Sequence, residues 1–295
     1  MSAVQRAGKR ASSLVVGVVG AGRVGAVLGA ALEAAGHHVV AAAAVSAASR
    51  ERARRLLPHA EIRPADEVAR AATDLLLLAV PDDHLAGVVS GLAATGSLRD
   101  GTVVAHTSGA HGLAVLGDRD GIALHPAMTF TGADADLERL PGIAWGITAR
   151  DRAFASRLVT DLGGIPEWIA EDARPLYHAA LAHGANHLVT LVNEAADLLR
   201  TAGVEDPATV LSPLLHAALD NALLLGDAAL TGPVSRGDAG TVRKHLDHLA
   251  PESVPAYLAL ARRTADRAIA AGRLRPQDAA LLLDVLAHAT VGSPS

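Results

Sequence analysis

Residues 14–19 read LVVGVV, residues 20–25 read GAGRVG, and an Ala- and Leu-rich stretch then runs to Gly36. A short run that is apolar throughout fits a strand buried on both faces. The helix-forming stretch Val24 to Ala35 stops at a glycine, a common C-terminal signal. Alone, a GxGxxG pattern is weak in a chain with 28 glycines. Between a buried strand and a helix its glycines acquire separate tasks. Gly20 makes the tight turn, Gly22 lets the backbone approach a pyrophosphate, and Gly25 lets the helix pack closely on the sheet. The helix N-terminus, with Arg23 and Val24 in its first turn, offers free N–H groups to an anion. An open α/β sheet with a dinucleotide at its edge is the expectation.

The rest of the first half agrees. Val39 to Val45, Asp74 to Val80 (DLLLLAV), Thr102 to His106, Gly121 to Leu124 and Ile143 to Ile147 read as further strands. A helix is expected from Arg50 to Leu57, stopped by Pro58. Strands alternating with helices predict a doubly wound parallel sheet of Rossmann type with right-handed crossovers. After about Ile169 the pattern changes, and 174–201, 207–225, 241–249, 254–271 and 276–289 all read as helices. The expected organisation is a flexible tail over 1–12, a dinucleotide-binding domain over 13–169, and an all-α C-terminal domain over 170–295. The helices offer more apolar surface than one small bundle covers, which predicts a homodimer.

Composition removes several classes of function. Two Phe, two Tyr and two Trp cannot supply successive stacking platforms for bases, and a net charge of −5 lacks a basic footprint, so no nucleic-acid partner is expected. Cysteine is absent, excluding thiolate catalysis, and Lys9 and Lys244 are the only lysines. The apolar start is interrupted by Arg23, and no other stretch reads as a membrane span, so a soluble cytoplasmic protein is expected. His183 and His187 stand four apart but lack a clear third ligand, so no metal is expected.

Between Glu33 and Glu51 there is no carboxylate to hold a ribose, and the end of the second strand carries Ser46, Ser49 and Arg50 instead. A hydroxyl and a guanidinium suit a 2′-phosphate, which favours NADP(H). The alternative is that Arg50, Arg52, Arg54 and Arg55 are a solvated helix face. Ligands in such sheets lie at the carboxyl ends of the strands. There Val80 and Pro81 leave the fourth strand beside the cofactor, His106-Thr107-Ser108 leave the fifth, and His125 leaves the sixth. His178, His183, Asn186 and His187 follow on the first helix of the second half. In the turn 230–238, Arg236 is free to bind a carboxylate if Asp238 caps the next helix with Thr241 in its first turn.

HTSGA at 106–110, LHPAMTF at 124–130, YHAA at 177–180 with Asn186, and LTGPVSRGD at 230–238 resemble the Rossmann-like/DUF2520 family of oxidoreductases. The resemblance covers nearly the whole chain after Leu14. It implies kinship with pyrroline-5-carboxylate reductases, 6-phosphogluconate dehydrogenases and ketopantoate reductases, and a helical domain that dimerises. It also implies reduction of a small keto acid, with 2-dehydropantoate the leading candidate. One departure stands out: the lysine that ketopantoate reductases carry on this helix is missing. The expected catalytic set is therefore His178, Asn186, His125 and Ser108, with a histidine as proton donor. His106, Thr107, Arg236 and Asp238 are expected to bind substrate, with Arg236 holding its carboxylate. A prephenate-dehydrogenase-like enzyme (from His125-Pro126-Ala127-Met128), a pyrroline-5-carboxylate or imine reductase, and a non-catalytic NADP(H) sensor are the alternatives.

Overall fold

A computed structural model describes residues 13–289, so the expected tail over 1–12 lies outside the described residues. The chain divides into two compact units, the first ending at Gly184 and the second beginning at Ala185.

The first unit is built on one eight-stranded sheet. Its strands are β1 (Val15–Val19), β2 (His38–Ala43), β3 (Glu61–Ile62), β4 (Leu75–Leu78), β5 (Val103–His106), β6 (Gly121–Pro126), β7 (Ala144–Ala149) and β8 (Ile165–Trp168), in spatial order β3-β2-β1-β4-β5-β6-β7-β8. The helices of this unit are α1 (Arg23–Ala34), α2 (Ala47–Leu56), α3 (Ala65–Ala71), α4 (Asp82–Ala94), α5 (Ala135–Arg139), α6 (Arg152–Asp161) and α7 (Arg174–Leu181). The apolar runs are buried on both faces as their composition requires: Leu75 and Leu77 join one core, Leu76 and Leu78 the other.

The parallel expectation holds as far as β6. There β7 returns antiparallel, with His125 opposite Gly146, and β8 runs parallel to β7. The β6–β7 connection is compact at this reversal. It carries only the five-residue α5, and the buried Asp136 carboxylate folds it tightly, accepting from the Thr131 and Gly132 amides and the Thr131 hydroxyl. The sequence reading also carried β2 two residues too far, to Val45, and missed β3 and β8. The last is an edge strand with Pro166 in it, where proline is tolerated.

The expected helix over 174–201 is interrupted. After α7 a π-helical turn spans Ala182–Asn186, and α8 (His187–Thr201) follows. The break between units falls inside this turn rather than at 169 because α7 is tied to the sheet of the first unit through Arg174.

The second unit holds α8, α9 (Pro207–Leu225), α10 (Ala239–His248), α11 (Val254–Ala270) and α12 (Pro276–His288). Its core comes from α10 to α12 and includes Val242, Leu258, Ala265, Leu282 and Leu286. In contrast, α8 contributes no buried residue and α9 only Pro207 and Leu211. The segment Pro207–Arg236 is long and apolar enough to cross a membrane by length and composition, which the sequence reading did not register.

Candidate active site

Glycine shapes the turn after β1. Gly20 has φ +92°, and a Cβ there would lie 2.5 Å from the Ala79 carbonyl oxygen. A Cβ on Gly25 would lie 2.3 Å from the Gly20 oxygen and 2.9 Å from Ala79 Cβ. The turn is therefore pressed against the end of β4, where Val80 and Pro81 begin the connection to α4. Gly22 differs: the nearest atom to a Cβ there is 3.9 Å away. It is the N-terminal cap of α1 and supplies no side-chain hydrogen bond, so the first-turn N–H groups of α1 are left to a ligand. Exposed Arg23 stands beside them. A pyrophosphate fits this cradle, because the glycines that need to be glycine make the turn and the one with open space faces outward.

At the end of β2, Ser46 caps α2 by accepting from the Ser49 amide at 3.0 Å, and the two hydroxyls bond to each other at 3.0 Å. The Arg50 guanidinium folds back onto the Val45 carbonyl and stays at the strand end. Arg55 is engaged elsewhere, by Asp134 and the Gly132 carbonyl. Arg52 lies against Gly132. Of the four arginines weighed as a solvated face, these two hold the β6–β7 connection to α2.

The second cluster gathers where β5 and β6 end. His125 Nδ1 lies 3.0 Å from the Tyr177 hydroxyl, with the two rings nearly perpendicular. The His125 and His178 ring centroids are 6.0 Å apart. Both imidazoles border Gly109: a Cβ there would lie 2.6 Å from His178 Cδ2 and 3.1 Å from His125 Nε2. Arg174, the first residue of α7, is fully buried and donates to the Ser108 carbonyl (2.6 Å), Thr148 Oγ1 (3.1 Å) and the Gly146 carbonyl (3.4 Å). A guanidinium stays charged even when buried. Burial, followed by the charge of Arg174 and the proximity of His178, pushes the His125 pKa down to about 4. His125 is thus neutral at pH 7 and is suited to a hydrogen-bonding role.

Several expected site residues take other tasks. His106 is wholly buried, bonds through Nε2 to the Gly112 carbonyl at 2.9 Å, and is pushed by burial to a pKa of about 4, so it supports the loop instead of meeting substrate. Ser108 is buried as well; its hydroxyl accepts from the His111 amide and its carbonyl from Arg174, so it builds the turn. Thr107 is half-buried and extends the ladder through its amide to the Leu78 carbonyl. Asn186, Arg236 and Asp238 belong to the second unit. Asn186 and Arg236 are exposed. Asp238 caps α10, accepting from the Thr241 amide at 3.0 Å and hydroxyl at 2.8 Å, so its carboxylate is committed to the helix and not to substrate. Two residues of the cluster were not foreseen as functional, Arg174 and Tyr177.

Family models match a Rossmann-like domain over residues 1–126 and DUF2520, a domain of unknown function, over residues 143–264. Among curated proteins none matches the sequence. Among solved structures, a candidate NADP oxidoreductase of Bacteroides fragilis is similar with a TM-score of 0.74 and 23% identity, covering 86% of this chain and 98% of that one. The 1-pyrroline-5-carboxylate reductase of Streptococcus pyogenes gives a TM-score of 0.60 at 14% identity, covering 87% and 98%. The pyrroline carboxylate reductase of Plasmodium falciparum, a structure with NADP bound, gives 0.57 at 12%, covering 91% and 98%. At such identities the likeness is one of fold.

Proposed function

We propose that this chain, which belongs to the family joining a Rossmann-like domain to DUF2520, is an NADP(H)-dependent oxidoreductase that reduces a small keto acid. One observation carries the reading. Because β1, β4, β5 and β6 are parallel, the uncapped N-terminus of α1 and the cluster of His125, Tyr177 and His178 share the carboxyl edge of one sheet. That edge is where such sheets bind ligands.

The α1 N-terminus with Gly20, Gly22 and Gly25 would hold the pyrophosphate, and Ser46, Ser49 and Arg50 the 2′-phosphate. When bound, the nicotinamide group supplies hydride to a carbonyl carbon. The chain's own residues then manage the oxygen. Neutral His125 donates a hydrogen bond to it, and half-buried His178 delivers the proton as negative charge develops there. Buried Arg174, which has no carboxylate among its hydrogen-bond partners, places positive potential beneath that oxygen. A homodimer is proposed to cover the apolar faces of α8 and α9. Burial of α9 against a second copy fits a soluble, cytoplasmic protein, and Pro213, His216 and Asp220 inside that helix fit a membrane poorly.

The test is NADPH consumption with a panel of small keto acids, 2-dehydropantoate first and pyrroline-5-carboxylate as the imine arm. Turnover of a keto acid that is lost in His178→Ala supports the reading. Tight NADPH binding with no turnover of any carbonyl or imine makes the protein a sensor, and no NADPH binding overturns the reading altogether.

A further inference from the structure

We infer that Tyr177 is a positioning residue: its hydroxyl holds His125 in the tautomer that carries its proton on Nε2, so the neutral ring presents a donor at the Gly109 border of the site. The tautomer is a property of the free protein. Its use on a substrate oxygen rests on the function proposed above.

Three features of the geometry lead there. The first is the direction of the bond between Tyr177 and His125, 3.0 Å long. Among the described residues His125 Nδ1 is the hydrogen-bond partner of the Tyr177 hydroxyl, and of the two groups the phenol O–H is the stronger donor and the imidazole nitrogen the stronger acceptor. The hydroxyl proton is therefore directed at His125, and Nδ1 accepts it. A neutral imidazole that accepts at Nδ1 carries its proton at Nε2.

The second feature is room made by glycine on both sides of the pair. A Cβ on Gly146 would lie 2.5 Å from the Tyr177 oxygen and 2.6 Å from its Cζ, so the phenol ring rests directly on the backbone of β7. Gly109 does the same for the opposite edge of His125, whose Nε2 would be 3.1 Å from a Cβ there. The ring is thus held at Nδ1 by Tyr177 while its Nε2 edge faces the backbone notch that it shares with His178.

The third is the anchor. Arg174 lies three residues before Tyr177 on α7, one helical turn away, and is fastened to β7 and to the β5 loop. The phenol therefore stands on a fixed base. The charged and titratable groups facing His125 are Arg174, Tyr177 and His178 of α7 and Asp82 of α4. The cations of this set work against an imidazolium at His125, which keeps the tautomer question one of the neutral ring.

The deciding experiment is a long-range 1H–15N correlation spectrum of the histidines at pH 7, with His125 assigned by His125→Gln. Wild type is expected to show His125 with a proton on Nε2 alone. Tyr177→Phe and Gly146→Ala, the second of which displaces the phenol, are each expected to give a mixture of tautomers. A wild-type ring with its proton on Nδ1 overturns the inference, and so does an unchanged single tautomer in folded Tyr177→Phe. A kinetic arm uses whichever keto acid the wild type turns over. There Tyr177→Phe should lower kcat by at least about tenfold while KM for NADPH stays within about twofold. Unchanged kcat overturns the positioning role even if the tautomer is as stated. If no substrate is found, it is the functional reading that fails, and the spectrum still decides the tautomer.

Discussion

The Arg174 guanidinium donates to the Ser108 carbonyl over 2.6 Å from a side chain with no accessible surface. This bond joins the first turn of α7 to the loop after β5, across 66 residues of sequence. Together with the bonds to Thr148 and Gly146 it makes α7 part of the sheet unit. Replacing Arg174 by Met keeps the bulk of the stem but strands buried acceptors. Each unsatisfied buried group costs about 1 to 3 kcal/mol, so Arg174→Met should lose roughly 2 to 4 kcal/mol in urea unfolding. A wild-type midpoint would mean that the bonds are incidental.

Two histidines, buried His106 and half-buried His125, set an acid limit on stability. His106 and His125 have pKa values pushed down to about 4, in both cases chiefly by burial. In the unfolded chain each titrates near its ordinary value of about 6.5. Between these values the unfolded state binds more protons than the native state, so stability is full above about pH 6.5 and falls as the pH drops toward 4. Each histidine contributes a slope of up to about 1.4 kcal/mol per pH unit in that window. Urea midpoints measured from pH 7.5 to 4.5 should fall continuously, and His106→Asn should reduce the slope. A flat profile would contradict the depressed values.

Legibility in the sequence followed the range of the interactions. The strand, glycine turn and helix over 14–35 could be read because each signal acts within a few residues, and Asp238 could be foreseen as a cap because its partner Thr241 is three residues on. The antiparallel return at β7 could not, since the loop before it, ordered by the buried Asp136 carboxylate, looks featureless in composition. Tyr177 stood in a recognised motif, yet its partner His125 is 52 residues away. For Arg174 a cue was present. A cation in the first turn of a helix opposes the macrodipole, and a residue that breaks a local rule calls for a tertiary reason.

The prediction for cofactor choice concerns Arg50. Its guanidinium rests on the Val45 carbonyl at the end of β2, beside the Ser46 and Ser49 hydroxyls, with no acidic residue there to hold a ribose. NADPH should bind more tightly than NADH. Arg50→Ala should cost NADPH about 1.5 to 3 kcal/mol, the worth of a charge-assisted hydrogen bond, and leave NADH nearly unchanged. Calorimetric titration of both cofactors against both proteins checks this, and tighter NADH binding by wild type would refute it.

Among the described residues, the helices α8 and α9 present exposed apolar side chains. Leu223 and Leu224 are 79% and 81% exposed, and Leu214 and Val189 more than half. Exposed apolar side chains in this number on two helices favour a partner. A homodimer is expected in sedimentation velocity at micromolar concentration. The double variant Leu223→Asp, Leu224→Asp should be monomeric and remain folded in its sheet unit. A monomeric wild type, or wild type that partitions into lipid vesicles instead, would overturn this expectation.

The glycine turn gives the last prediction, because its two inner glycines differ in what surrounds them. At Gly25 a methyl group would lie 2.3 Å from the Gly20 oxygen, a distance that no side-chain adjustment can relieve since the obstacle is backbone. Gly25→Ala must therefore push α1 away from the turn and from Ala79, at a cost of roughly 1 to 3 kcal/mol for an overpacked contact. At Gly22 a methyl group meets nothing closer than 3.9 Å, so the free protein should tolerate it. The space it fills is the space a pyrophosphate needs in order to reach the first-turn amides of α1. Gly22→Ala should leave the thermal midpoint within about 2 °C of wild type, since a change of 1 kcal/mol in a domain of this size moves it by about 2 to 4 °C. The same variant should weaken NADPH binding at least about tenfold. Gly25→Ala should lower both stability and affinity. If Gly22→Ala binds NADPH as wild type does, the cofactor does not approach α1 through this turn, and the assignment of the cradle falls with it.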